Sequence, residues 1–286
     1  MRPISAKISL LAALCLAAFA CDSGTTTFGS DTISGGDATV TKVPTSFGPV
    51  DLVTARKYDA LLVEIDYVAG HAPNPAALSQ LEEQLNTLRK DGHLAKSGGI
   101  RFVLDESLDP VGADHVSTFD ELSDRAKAHR SILPRVGEAT IHVLYTDGKY
   151  QDDGDQTYVL GFAYGGSWLV MLADNIERGC QSSPLLGLPA FSGLAAQACA
   201  RGESTVFLHE LGHLFGLVDN GTPMVKAHED PDHGGHDSNT ECLMYWAIEG
   251  SRAFDVIAER FQKGKSGAVP FDAACLADLD ALIAGN

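Results

Sequence analysis

His209-Glu210-Leu211-Gly212-His213-Leu214-Phe215-Gly216-Leu217-Val218-Asp219 places three potential metal donors and a carboxylate base within eleven residues. On a helix, His209 and His213 lie one turn apart on the same face, so both imidazoles can reach one ion. Glu210 stands beside that pair as a general base. Gly216 follows the second histidine by three residues, where a glycine can take positive φ and end the helix. The chain then turns so that Asp219 can approach the same ion. The expected metal set is His209, His213 and Asp219 around one zinc, which leaves a fourth position for water whose pKa the metal lowers to about 7.

A bare pair of histidines at this spacing also arises by chance, so the flanks matter. Ser204-Thr205 offers a cap, and Phe207, Leu211 and Leu214 recur at i, i+4 and i+7, the pattern of a buried amphipathic helix. Downstream, Cys242-Leu243-Met244-Tyr245 brings a methionine 25 residues after Asp219.

The extended pattern HExxHxxGxxD with a later methionine resembles the metzincin metalloproteases, in particular those of snapalysin or archaemetzincin type. That resemblance covers residues 204 to about 246. It implies zinc on His209, His213 and Asp219, Glu210 as general base and acid, and Met244 in a turn beneath the metal. It further implies a metzincin-like fold, an active-site helix under a twisted mixed sheet with an antiparallel edge strand, and a smaller, mainly helical C-terminal lobe. Some metzincins carry a tyrosine two positions after the methionine; here that position is Trp246, and the tyrosine is Tyr245.

Outside the resemblance, the patterning itself reads as an α/β layer. Residues 60–68 read as a strand and Asn74-Pro75 opens a helix with Leu78, Leu81, Leu85 and Leu88 on one stripe. Residues 100–104 and 140–145 read as further strands separated by a helix from Asp120 to about His129, an alternation that predicts an α/β fold with a mainly parallel sheet. Tyr158–Tyr164 and Trp168–Leu172 then flank Gly165-Gly166 as two more strands. If the first of these is the sheet edge, Leu160, Gly161, Phe162, Ala163 and Tyr164 would hold an extended peptide substrate by backbone hydrogen bonds; an ordinary hairpin is the alternative.

At the N-terminus two cations precede an apolar run from Ile8 to Ala20, too short to span a bilayer and suited to a bacterial export signal of residues 1–20. Cys21 would then begin the mature chain as a lipid anchor, heading a Thr/Ser/Gly-rich tether over residues 21–48, with free secretion as the alternative. Residues 49–286 remain for the metalloprotease domain, with lobes of about 49–216 and 217–286. An even set of four later cysteines in an oxidising compartment suggests Cys180 with Cys199 and Cys242 with Cys275, one of three connectivities.

The net charge is −17, or −19 without Arg2 and Lys7. So acidic a surface repels phosphates and argues against nucleic acid as a partner. The expected partners are a peptide or protein substrate and, through Cys21, a membrane; a monomer is expected. Asp152-Asp153-Gly154-Asp155 could hold calcium, but a polar turn is the favoured reading because no full EF-hand spacing follows. Residues 228–237, with His228, His233 and His236, could bind a second metal or supply the third zinc ligand in place of Asp219, or simply be surface. Glu229, Glu241 and Glu249 are other candidates for that third position, and Tyr245 and His142 for stabilising an oxyanion. The reading is a zinc-dependent endopeptidase, against a zinc-containing binding protein or a hydrolase of a non-peptide amide.

Overall fold

A computed structural model describes residues 46–155, 157–265 and 267–285. The expected signal segment, Cys21 and the tether up to residue 45 lie outside the described residues. In chain order the elements are α1 (Pro49–Val53), β1 (Ala60–Val68), α2 (Pro75–Asp91), β2 (Gly99–Leu108), β3 (Val116–Ser117), α3 (Phe119–His129), β4 (Glu138–Thr146) and β5 (Lys149–Tyr150). They continue with β6 (Gly161–Tyr164), β7 (Trp168–Leu172), α4 (Ala173–Ser182), α5 (Ala195–Leu214), β8 (Glu229–Asp230), β9 (His233–Asp237), α6 (Ala253–Gln262) and α7 (Ala273–Ala284).

The main sheet runs in the order β2-β1-β4-β7-β6, with every neighbour parallel except the antiparallel β6–β7 pair at the edge. The fold is α/β with a mixed sheet and a helical C-terminal part, as the strand and helix patterning predicts. A parallel sheet is covered on both faces, which is why its central strands β1 and β4 are buried almost throughout. Leu61, Val63 and Ile65 of β1 and Ile141, Val143 and Tyr145 of β4 join α2 and α5 in the larger core. On the opposite face Val68, Leu144, Val170 and Leu172 meet Leu122 and Ala126 of α3.

That opposite face also holds a buried polar layer. His142 donates or accepts at 2.7 Å with Asp66 across β1 and β4 and packs against Trp168. Strand alternation therefore turns His142 away from α5, and its candidacy for the oxyanion is corrected by its register.

The long helix α5 begins at Ala195, well before Ser204. The run Ala195-Ala196-Gln197-Ala198 is rich in strong helix formers. Ser204 and Thr205 do not cap; their hydroxyls donate back to the Arg201 carbonyl within the helix at 3.0 and 2.6 Å. The early start carries Cys199 into α5, where it is disulfide-bonded to Cys180 of α4. The expected second bond is not formed: Cys242 and Cys275 are buried thiols with sulfurs 3.7 Å apart. Each is occupied locally, Cys242 Sγ accepting from the Met244 and Asp272 amides.

Candidate metal centre

The C-terminal end of α5 is closed by a double hydrogen bond. Leu217 N–H donates to Gly212 O at 3.1 Å and Gly216 N–H to His213 O at 3.0 Å, around a left-handed Gly216 at φ 77°. A side chain at Gly216 would also strike Pro49 and Thr222. Two further left-handed residues follow, Val218 at φ 55° and Asp219 at φ 59°. They turn the chain outward, and Asp219 ends exposed at the rim of the cleft.

His209 and His213 face each other through their Nε2 atoms at 3.2 Å. The third imidazole beside them belongs to His236 on β9, its ring centroid 5.4 Å from that of His209 and 5.0 Å from that of His213. Donor atoms of His209, His213, His236 and Glu249 all lie within 4.8 Å of one another, and Asp219 is outside this set. The structure thus brings together two of the three donors expected from the sequence and adds two others. The signal for His236 was the histidine-rich stretch 228–237. What the sequence did not reveal is that Glu229-Asp230 pairs with 233–237 as a hairpin, with a left-handed Gly235 folding it toward His213.

Two of the three imidazoles are oriented from behind. His209 Nδ1 donates to the Leu243 carbonyl at 2.7 Å and His236 Nδ1 to the Gly234 carbonyl at 3.2 Å, which leaves both Nε2 lone pairs turned inward. Leu243 is held in the buried turn Cys242-Leu243-Met244-Tyr245, where Met244 Sδ fills the space over Gly212. The Asp237 amide donates to Met244 O at 2.8 Å, tying β9 to the same turn. Met244 therefore lies against the helix bearing both histidines.

Glu210 is fully buried, and among the described residues neither of its carboxylate oxygens has a hydrogen bond of ordinary geometry. Burial pushes its pKa well above the usual carboxylate range; Glu249 adds to this and the Ala163 amide opposes it. Gly161 of the edge strand makes the room: a Cβ there would come within 3.3 Å of Glu210 Cγ and 3.0 Å of Met171 Sδ. Burial also lowers His213 to about 3, with His209 and His236 acting in the same direction. Such an imidazole is neutral at pH 7 and ready to donate a lone pair. Although burial opposes it, hydrogen bonding to Glu249 holds His236 above its ordinary value.

Glu210, His213, His236 and Glu249 line an open cleft of about 380 Å³ together with Phe162, Ala163, Asp219 and Glu229. Of the five residues expected at the substrate edge, Phe162 and Ala163 face this cleft, Gly161 packs on Glu210, Leu160 is buried and Tyr164 packs against Trp168 and Phe119. A larger hollow of about 580 Å³ near Tyr145 and Glu203 shares none of the cleft residues. Tyr245 does not line the cleft. His233 stacks on Trp246, and His228 bridges Asp237 and Asp278. Glu229 accepts from the Gly235 amide, and Glu241 pairs with Arg260 and Lys265. In the candidate calcium turn, Asp153 uses both oxygens to accept from Tyr150, Val159 and Asn175, which fixes the turn without an ion.

No known family model matches the chain, and no curated protein matches it. Among solved structures it is similar to a zinc-dependent peptidase from Methanocorpusculum labreanum (strain Z), with a TM-score of 0.43 and 16% identity over 76% of this chain and 99% of that one. At that level the likeness assigns neither family nor activity.

Proposed function

We propose that the chain is a zinc-dependent peptidase of metzincin type in which His209, His213 and His236 hold the metal and Glu210 moves the proton. The observation that carries this is the convergence of three imidazoles beside a fully buried carboxylate. The residues fit the ion: neighbouring nitrogens on a tetrahedral zinc stand about 3.3 Å apart, and His209 and His213 Nε2 stand 3.2 Å apart. Three imidazole nitrogens and nearby carboxylates are also a donor set that zinc accepts readily.

Zinc bound there supplies a Lewis acid and a water acidic enough to lose its proton near neutral pH. Glu210, beside the two helix histidines, takes that proton and delivers it to the leaving amine nitrogen, the shuttle role of a positioned carboxylate. Phe162 and Ala163 border the cleft on the last strand of the sheet, so an extended peptide added along β6 would bring its carbonyl toward Glu210. Asp219, exposed at the rim, is free to meet substrate. A zinc protein without catalysis would have no use for a fully buried glutamate beside the histidines, since its burial costs stability.

The test is digestion of a denatured protein mixture with the zinc-loaded chain, with and without chelator. New peptide termini that vanish with chelator and return with zinc support the reading; none at one zinc per chain refutes it. Export and a lipid anchor at Cys21 belong to the same proposal, and the Cys180–Cys199 disulfide suits an oxidising compartment. Expression in a bacterial host should yield a detergent-partitioning product with an N-terminal mass increment, and an unmodified Cys21 thiol would remove the anchor.

A further inference from the structure

Glu249 is the fourth group of the cluster, and neither the two-histidine helix nor the catalytic scheme uses it. Its Oε2 lies 3.1 Å from His236 Nε2 and 3.9 Å from both His209 Nε2 and His213 Nε2. One carboxylate oxygen thus faces all three imidazole nitrogens at once. The edge of a zinc tetrahedron is about 3.3 Å, so a shift of about half an ångström puts that oxygen at the fourth corner.

The main chain that carries the carboxylate is fixed. Glu249 O accepts from the Leu160 amide at 3.0 Å, and Gly250 bridges to Val159 just before β6. The side chain itself is 41% exposed at the cleft mouth. A held backbone with an exposed carboxylate can release a ligand by side-chain rotation alone, on the fast timescale of exposed rotamers.

We propose that Glu249 is an exchangeable fourth protein ligand, which fills the open position of the resting metal centre and leaves it when substrate enters. This rests on the zinc reading above and adds to it a self-closed resting state. On exchange the bond from the metal to the Glu249 oxygen breaks and one to an incoming oxygen donor forms, with no change of oxidation state. The segment that carries Glu249 also hydrogen-bonds the residue leading into the edge strand, so substrate addition along β6 and departure of the carboxylate occur at one place.

The experiment uses the folded chain loaded with cobalt(II), whose visible absorption reports coordination, and azide as a small anion that needs a vacant or exchangeable position. In Glu249→Ala, cobalt affinity should fall about tenfold or more, the scale seen when support is removed from a metal site. The azide concentration for half-maximal spectral change should fall about tenfold or more in the same variant. Glu249→Asp keeps the charge but loses one methylene of reach, and should behave like the alanine variant. Equal cobalt affinity and azide response in wild type and Glu249→Ala, or wild-type behaviour of Glu249→Asp, would overturn the ligand role while leaving the three-histidine centre intact. Failure of the wild type to take up one cobalt per chain would overturn the zinc reading itself.

Discussion

Replacing His236 by alanine tests the assembly of the metal centre more directly than any change on the helix. In the structure the three Nε2 atoms converge, and Asp219 stands outside the donor group on an exposed, left-handed turn. A structural zinc binds with roughly 10–16 kcal/mol, which spread over four ligands is about 3 kcal/mol each, or roughly 10²-fold in affinity for one donor removed. His236→Ala should therefore weaken zinc retention by about 10²-fold, whereas Asp219→Ala should change it by less than about threefold. Competition with a chromophoric chelator at fixed pH measures both variants against wild type on one scale. The imidazole is reached from a surface hairpin, so the variant should keep its far-UV circular dichroism. If Asp219→Ala loses the metal and His236→Ala holds it, the third ligand comes from the turn after α5, and the geometry described for β9 is irrelevant to the site.

Three further outcomes follow from particular contacts. Glu210→Gln should keep one zinc per chain and lose about 10²-fold or more of kcat on any peptide the parent cleaves; near-normal turnover would remove the general-base role. Gly212→Ala would drive a methyl to 2.4 Å from Met244 Sδ and 3.1 Å from Phe271 Cε1, and should cost about 1–3 kcal/mol in urea unfolding, with no loss meaning that the turn slides freely. His228, though burial works to lower it, is held above its ordinary pKa by hydrogen bonds to Asp278 and Asp237. Its stabilisation should be complete below about pH 6.5 and lost as pH rises through the raised folded value, so Tm should fall over that window in wild type and fall less in His228→Gln.

The helix around His209 and His213 was legible because a spacing of four residues has one geometric meaning on a helix, and Gly216 because few residues end one in the left-handed region. The sheet was legible too. Alternating or continuous apolar runs at 60–68, 100–104 and 140–145 can be buried in few ways, and all three became central or neighbouring parallel strands. The start of α5 was not, because Ser204 and Thr205 serve equally as caps or as hydroxyls bonded inside a helix, and the alanine-rich stretch before them decides which. His236 was visible as one histidine among several but not as a donor. Its position depends on a hairpin with a two-residue first strand and on the Asp237–Met244 backbone bond, and neither leaves a periodic trace. The Cys242–Cys275 bond expected from cysteine arithmetic is not formed; the two buried sulfurs lie 3.7 Å apart as free thiols.

The third imidazole arrives 23 residues after His213, across a turn, an open stretch and a hairpin. A metal ion shared between α5 and β9, as proposed, would close a loop of that length, as a removable cross-link does. Stripping the ion leaves the helix seated in the core by Phe207, Leu208 and Leu211, while the segment between the two anchor points regains the freedom that ring closure had taken from it. Chelation should accordingly expose residues 219–235 to proteases long before the sheet opens, making susceptibility of that one segment a gauge of how much metal the chain carries.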